Sequence, residues 1–239
     1  MTLLIDNDIV HKLAQLDLLD YATPILRERY GNLEVLNTLR FKFCPNGESK
    51  RARQEKKHTP EVIGRIQNFI DTAVTEVDCE ITDSALLEAM AISDDGLDVG
   101  EMQLLQSMIE REESIMFTGD KRFLKALAQD ENISVHMEKL EEAFVCFEQI
   151  MIFLIKEFSF EYVKQKFLVA LGLGLKVDST LRMCFEGLEQ AEESRVFENL
   201  QLNVASLRRD TQSYLSTLTA WVIPDDQAGH EGELAATTE

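Results

Sequence analysis

Asp6, Asp8, Asp98, Glu101 and Asp120 are the side chains of this 239-residue chain whose types and positions could do chemistry together. Asp6 follows the apolar run Thr2-Leu3-Leu4-Ile5, and Asp120 closes Ile115-Met116-Phe117-Thr118-Gly119. If those runs are adjacent strands of a parallel sheet, both acids stand at its carboxyl edge, where such sheets bind ligands. Glu101, in the first turn of a helix, can point to the same edge. Carboxylate oxygens suit hard cations such as Mg²⁺ or Mn²⁺. Without a cation, three converging carboxylates raise one another's pKa. A divalent ion removes that penalty and activates water for attack on phosphate.

Each acid also has a purely structural use. Asp98 and Glu101 have capping-box spacing, in which both side chains satisfy free backbone donors at a helix start. Asp120 fits the N-cap of a helix beginning at Lys121, and Asp8 fits a turn. Asp6 is harder to account for in this way, because a carboxylate at the end of a buried strand requires a partner.

The elements that must position these residues alternate. Strands are expected at residues 2–5, 33–36, within 74–81, at 115–117 and at 133–137. Helices are expected after Asp8, from the Thr23-Pro24 cap to about Tyr30, from Thr59-Pro60, from Asp83 to about Ile92, from Asp98 and from about Phe123. Residues 44–59, with Pro45, Asn46, Gly47 and many charges, read as a mobile loop, and Ser93-Asp94-Asp95-Gly96 as a break. The expected fold class is therefore α/β, a mostly parallel sheet flanked by helices over residues 1–137. Beyond it the strand signals stop, and residues 138–223 read as an all-helical extension. Its three helices would cover 140–158, 160–171 and 180 to about Trp221, the last with an apolar stripe suited to self-association or a protein partner. Residues 224–239 are polar and aperiodic, and are expected to be a disordered tail.

Composition narrows the classes. At 45% hydrophobic and 28% charged residues, the chain can bury an ordinary globular core. The net charge of −19 is uneven: residues 1–75 carry 11 Lys/Arg against 10 Asp/Glu, so the excess of acid lies entirely after them. The concentrated basic run is Lys50-Arg51-Ala52-Arg53-Gln54-Glu55-Lys56-Lys57, either a solvated loop or a phosphate-facing surface. Cys44, Cys79, Cys146 and Cys184 are scattered, as are the four histidines, so neither zinc-ligand spacing nor a disulfide framework is present. No phosphate-binding glycine loop occurs. With no secretory leader pattern and only a short apolar run at 143–155 interrupted by Glu148, the reading is a cytoplasmic protein that does not enter membranes.

Leu4-Ile5-Asp6-Asn7-Asp8 is similar to the first motif of the PIN nuclease family. Leu97-Asp98-Val99-Gly100-Glu101 resembles the L-D-x-G-E block of a PIN subgroup that includes toxin-like proteins. Met116-Phe117-Thr118-Gly119-Asp120-Lys121-Arg122-Phe123-Leu124 resembles the family's closing block. The resemblance covers roughly residues 1–137. It implies a PIN-like domain with divalent-metal-dependent endoribonuclease activity, in a toxin–antitoxin pair or in RNA processing, leaving 5′-phosphate and 3′-hydroxyl ends. In that likeness Asp6, Glu101 and Asp120 ligate Mg²⁺ or Mn²⁺, Thr118 bonds near the phosphate, Asp8 orients the first ligand and Asp98 supports the block. Lys42, Lys50, Arg51, Arg53, Lys56 and Lys57 are the candidate RNA contacts. One departure stands out: Asn37-Thr38-Leu39-Arg40-Phe41-Lys42-Phe43, where the family usually carries another acid, has none. A basic residue there could hold phosphate or mark a weakened site, leaving a catalytically decayed binding module as one alternative. A second is a phosphatase of the haloacid dehalogenase type, because Asp6-x-Asp8 after a strand is similar to its nucleophile motif.

Overall fold

Leu3, Leu4 and Ile5 are buried without alternation, as expected of a strand covered on both faces. They form β1 (Thr2–Ile5), the centre of a five-stranded sheet in the computed structural model, which describes residues 1–92 and 97–217. The other strands are β2 (Asn32–Leu36), β3 (Thr75–Val77), β4 (Ser114–Thr118) and β5 (Phe144–Cys146). Their order is β3-β2-β1-β4-β5, and every pair is parallel. Connections lead from β1 outwards through β2 to β3, then return across β1 to β4. The strand order therefore reverses between β1 and β4, and the crevice at their carboxyl ends is a topological switch point. Leu3 faces Ile115 and Ile5 faces Phe117 across that pair. One residue further on, the Asp6 amide donates to the Phe117 carbonyl at 2.9 Å, which fixes where the first acid leaves the sheet.

Helices α1 (Asn7–Gln15), α2 (Leu19–Tyr30), α3 (Thr38–Phe43), α4 (Glu48–His58) and α5 (Pro60–Thr72) fall between β1 and β3. Next come α6 (Ser84–Ile92) and α7 (Val99–Ile109), then α8 (Lys121–Gln129) after β4. The chain continues through a 3₁₀ turn (Ile133–His136), α9 (Met137–Leu140), α10 (Phe147–Phe158), α11 (Phe160–Gly172), α12 (Ser179–Cys184) and α13 (Glu193–Thr211). Nine consecutive residues of α10, from Phe147 to Ile155, are buried, because it lies against β5, α11 and α13 at once. One continuous hydrophobic core joins the sheet to these C-terminal helices. No helix of the described residues is long and apolar enough to cross a membrane.

Several local expectations are corrected. The loop expected over residues 44–59 holds the helix α4: only Pro45, Asn46 and Gly47 turn the chain, and the Lys, Arg, Gln and Glu residues after them favour helix. Glu48 at its start and Lys56 and Lys57 at its end also complement the helix dipole. Helix α2 begins before the Thr23-Pro24 step, with Pro24 inside it. Leu19 and Ala22 extend the buried stripe of Leu26 and Tyr30 by more than a turn. Residues 133–137 alternate in type but not in environment: Ile133 is buried while Val135 is 70% exposed, and the segment is a 3₁₀ turn (Ile133–His136) running into α9 at Met137. The final strand is instead Phe144–Cys146, fully buried and hidden in sequence within a longer apolar run. The last expected helix is interrupted by Gly187, at φ 82°, and splits into α12 and α13. Its apolar stripe (Val196, Leu200, Val204, Leu207) is buried within the chain, so it is not an open self-association face. The helix expected to run to about Trp221 ends at Thr211, where Gln212 turns the chain at φ 54° and Leu215 bridges to Phe144. The break expected at residues 93–96 and the tail at 224–239 lie outside the described residues.

The carboxyl end of α4 is held by an unusual clasp. His58 Nδ1 lies 2.9 Å from His11 Nε2, and the Phe43 ring stacks on His11 with centroids 5.0 Å apart. Burial, then the nearby His58, Lys42, Lys57 and Lys12, push His11 down from 6.5 to about 3. The unfolded chain protonates His11 below 6.5 but the folded chain does not, so this stability is complete above 6.5 and drains as pH falls towards 3. At pH 4 the loss amounts to at most about 3 kcal/mol. Denaturant melts from pH 7 to pH 4 should show wild-type stability falling faster than that of His11→Phe, which keeps a ring on Phe43. Parallel curves would refute the assignment.

Candidate active site

Asp6, Asp98 and Asp120 share a local logic: each is the N-cap of a helix, α1, α7 and α8 respectively. The extended backbone at each cap leaves the side chain at the amino end of its helix, where all three line the same cavity. Asp98 accepts from the Gly100 amide at 2.9 Å. Asp120 accepts from the Arg122 and Phe123 amides at 2.7 and 3.2 Å, and its other oxygen meets the Arg122 guanidinium at 3.3 Å. Three helix amino termini thus face one crevice, and their positive ends offset part of the mutual repulsion of the acids.

That crevice is a cleft of about 520 Å³ lined by Asp6, Asn7 and Asp8 from the start of α1, by Leu36 and Lys42, by Asp98, Gly100 and Glu101, and by Gly119, Asp120 and Arg122. All five acids singled out from sequence therefore line a single cavity. Glu101 does not complete a capping box. Its side chain is buried, and its Oε2 has no hydrogen-bond partner among the described residues. Burial, then the charges of Asp6, Asp120, Asp98 and Asp8, push the Glu101 carboxyl up to about 9. Burial and the adjacent Asp8 push Asp6 up to about 6, against the pull of nearby backbone amides and Lys42. At neutral pH Glu101 accordingly holds a proton, as an acid in a dry, like-charged site must.

Asp8 is occupied differently. Its Oδ2 pairs with Lys12 Nζ at 2.7 Å, one helical turn on, and the same ammonium meets Asp178 Oδ2 at 2.9 Å. Burial pulls Lys12 down, but the two carboxylates outweigh it and hold the ammonium above its usual range. Gly119 is what lets this pair approach, because a Cβ there would run into the Asp8 carboxylate and the Lys12 ammonium. Asp178 is the N-cap of α12, so the C-terminal helices connect to the cleft residue Asp8 through Lys12. Lys12 and Asp178 escape a reading of the sequence. The four-residue step from Asp8 to Lys12 is a usable signal, whereas nothing local marks Asp178.

The remaining candidates separate. Thr118 is fully buried and does not line the cleft; its hydroxyl accepts from the Asp120 amide at 3.1 Å and so positions that residue from behind. Lys42 lines the cleft, while Lys50, Arg51, Arg53, Lys56 and Lys57 are exposed along α4 and do not. Asn7, Gly119 and Arg122 also line the cleft; the motifs contain them but assign them no role. Asn7 donates to Thr38 Oγ1 at 3.1 Å, which leaves its buried Oδ1 without a partner among the described residues.

The donor set is suited to a hard divalent cation. Its charged donors are carboxylates, with no thiol or imidazole in the lining, and two buried oxygens, Glu101 Oε2 and Asn7 Oδ1, are unsatisfied. As oriented, no three acidic, histidine or cysteine side chains among the described residues already close on one point. Compared with models of known families, with curated proteins and with solved structures, the chain matches none.

Proposed function

We propose that this protein is a PIN-like, divalent-metal-dependent endoribonuclease whose site is the cleft at the β1/β4 switch point. The observation that carries this reading is the meeting of Asp6, Glu101 and Asp120, widely separated in sequence, around a cavity in which a buried glutamate oxygen lacks a partner. Asp6, Glu101 and Asp120 would hold Mg²⁺ or Mn²⁺. Such an ion, when bound, stabilises charge on phosphate and lowers the pKa of water. Glu101 would release its proton to solvent on taking up the ion. Asp98 keeps its place as a cap, and Thr118 holds the Asp120 backbone. Asp8, tied to Lys12, braces the turn that carries Asp6. Cytoplasmic placement and a toxin or RNA-processing role belong to the same proposal.

A second reading, a PIN-like binding module without catalysis, is favoured by one observation: Asp120 already uses both oxygens on its helix cap and Arg122. Incubating the purified protein with single-stranded RNA and Mn²⁺, beside Asp120→Asn, decides between them. Cleavage by the wild type and not by the variant supports the nuclease. Equal cleavage by both, or by neither, overturns it.

A further inference from the structure

Helix α3 reaches the cleft through Lys42, and α4 follows it in the chain; together they combine charge with an aromatic ring in a way the catalytic reading does not use. Lys42 reaches the cleft lining, yet among the described residues it forms no ion pair with the carboxylates there. Its neighbour Phe41 is 64% exposed, an unusual position for a phenyl ring. Helix α4 buries none of its residues, and Lys50, Arg51, Arg53, Lys56 and Lys57 stand exposed on it, unpaired with any acid among the described residues. The chain carries a net charge of −19, so five unpaired cations on one short helix are a concentrated exception.

The two helices are joined where it matters. His58, the last residue of α4, contacts His11 at 2.9 Å, and both rings pack on Phe43, the last residue of α3. Lys42 and Lys57 consequently flank the same pair of imidazoles, and both ammonium charges act on each ring. The carboxyl end of α4 is therefore tied, through Phe43, to the helix whose Lys42 lines the cleft. A row of cations beside an exposed aromatic ring is what single-stranded nucleic acid requires: phosphates track the charges and a base stacks on the ring.

We infer that Phe41, Lys42 and the α4 cations Arg53, Lys56 and Lys57 form a binding surface for single-stranded RNA that leads the strand into the cleft. This rests on the nuclease reading for the choice of RNA, but the surface stands or falls by binding alone. Lys42, the α3 cation that lines the cleft, holds a backbone phosphate. Phe41 stacks a base, and α4 follows the phosphates beyond it.

Fluorescence anisotropy of a labelled 12-nucleotide single-stranded RNA, in EDTA so that nothing is cut, tests the surface. Phe41→Ala and Lys42→Ala should each weaken binding roughly 5-fold or more. The double reversal Arg53→Glu/Lys57→Glu should flatten the dependence of log K on log salt by about 1 to 2. Both single substitutions are at exposed positions, and unchanged melting temperatures would show that the fold is intact. Binding that ignores all three variants, or that is as tight for duplex RNA or polyglutamate, overturns the inference. In parallel, Mn²⁺-dependent hydrolysis of bis(p-nitrophenyl) phosphate by the wild type reports on the carboxylates alone. RNA binding that depends on the surface without such hydrolysis removes the nuclease reading and keeps the surface; hydrolysis with RNA binding indifferent to the variants does the reverse.

Discussion

Replacing Glu101 by Gln should make the metal-free protein more stable while abolishing its response to Mn²⁺. The wild-type carboxyl is raised from 4.5 to about 9 in the folded chain. The unfolded chain therefore loses that proton near 4.5 and the folded chain keeps it, so stability is fully present below 4.5 and falls as pH rises towards 9. At pH 7 the penalty is about 3 kcal/mol as an upper figure, and Glu101→Gln, neutral in both states, should recover about 1–3 kcal/mol of it. Thermal melts in EDTA from pH 5 to pH 9 should converge at the acid end and separate at the alkaline end. Added Mn²⁺ should reverse the order, because only the wild type gains stability from a ligand that binds the folded state. RNA cleavage by the variant should fall on the order of 100-fold or more. A variant less stable than wild type at pH 8 without metal would mean that Glu101 is a structural residue.

Asp120 offers a separation of the opposite kind, since it serves as both cap and candidate ligand. Its Oδ1 accepts from two amides at the start of α8, a role that Asn fills about as well as Asp. Asp120→Asn should therefore leave stability within a few tenths of a kcal/mol, and Asp120→Ala should cost about 1 kcal/mol. Cleavage should drop on the order of 100-fold in both, because neither supplies an anionic oxygen. If activity follows stability, so that Asn is near wild type and only Ala is impaired, Asp120 acts as a cap and the nuclease account loses one of its three acids.

What a reader of the sequence can see of this molecule follows physical lines. β1 and β4 are legible because a strand buried on both faces is an apolar run, and the acids closing them are legible because they end such runs; β2 is legible despite Glu34 at its centre, which is buried against Arg111. β5 is not: Phe144, Val145 and Cys146 run directly into Phe147 of the apolar helix that follows, with no turn between them, and Glu148 already belongs to that helix. Helix α4 is obscured because it buries nothing, so it has no periodic stripe to detect. Within the site, the capping roles of Asp98 and Asp120 are readable from the chain, whereas the unpartnered state of Glu101 is a fact of packing. The contact of Asp178 with Lys12 joins residues far apart in sequence through tertiary structure alone. Phe41 looks like any core phenylalanine until the fold leaves it in solvent.

The protonation of the cleft supplies the most direct measurement of the central claim. Glu101, at about 9, holds a proton at neutral pH, and Asp6, at about 6, is partly protonated just below it. A cation held by these oxygens must displace those protons. Calorimetric titration of Mn²⁺ at pH 7 in buffers of different ionisation enthalpy should show saturable binding with release of about one proton per ion. Both the heat and the proton release should be lost in Asp6→Ala. Identical heats from wild type and Asp6→Ala, or binding that releases no proton, would contradict the account.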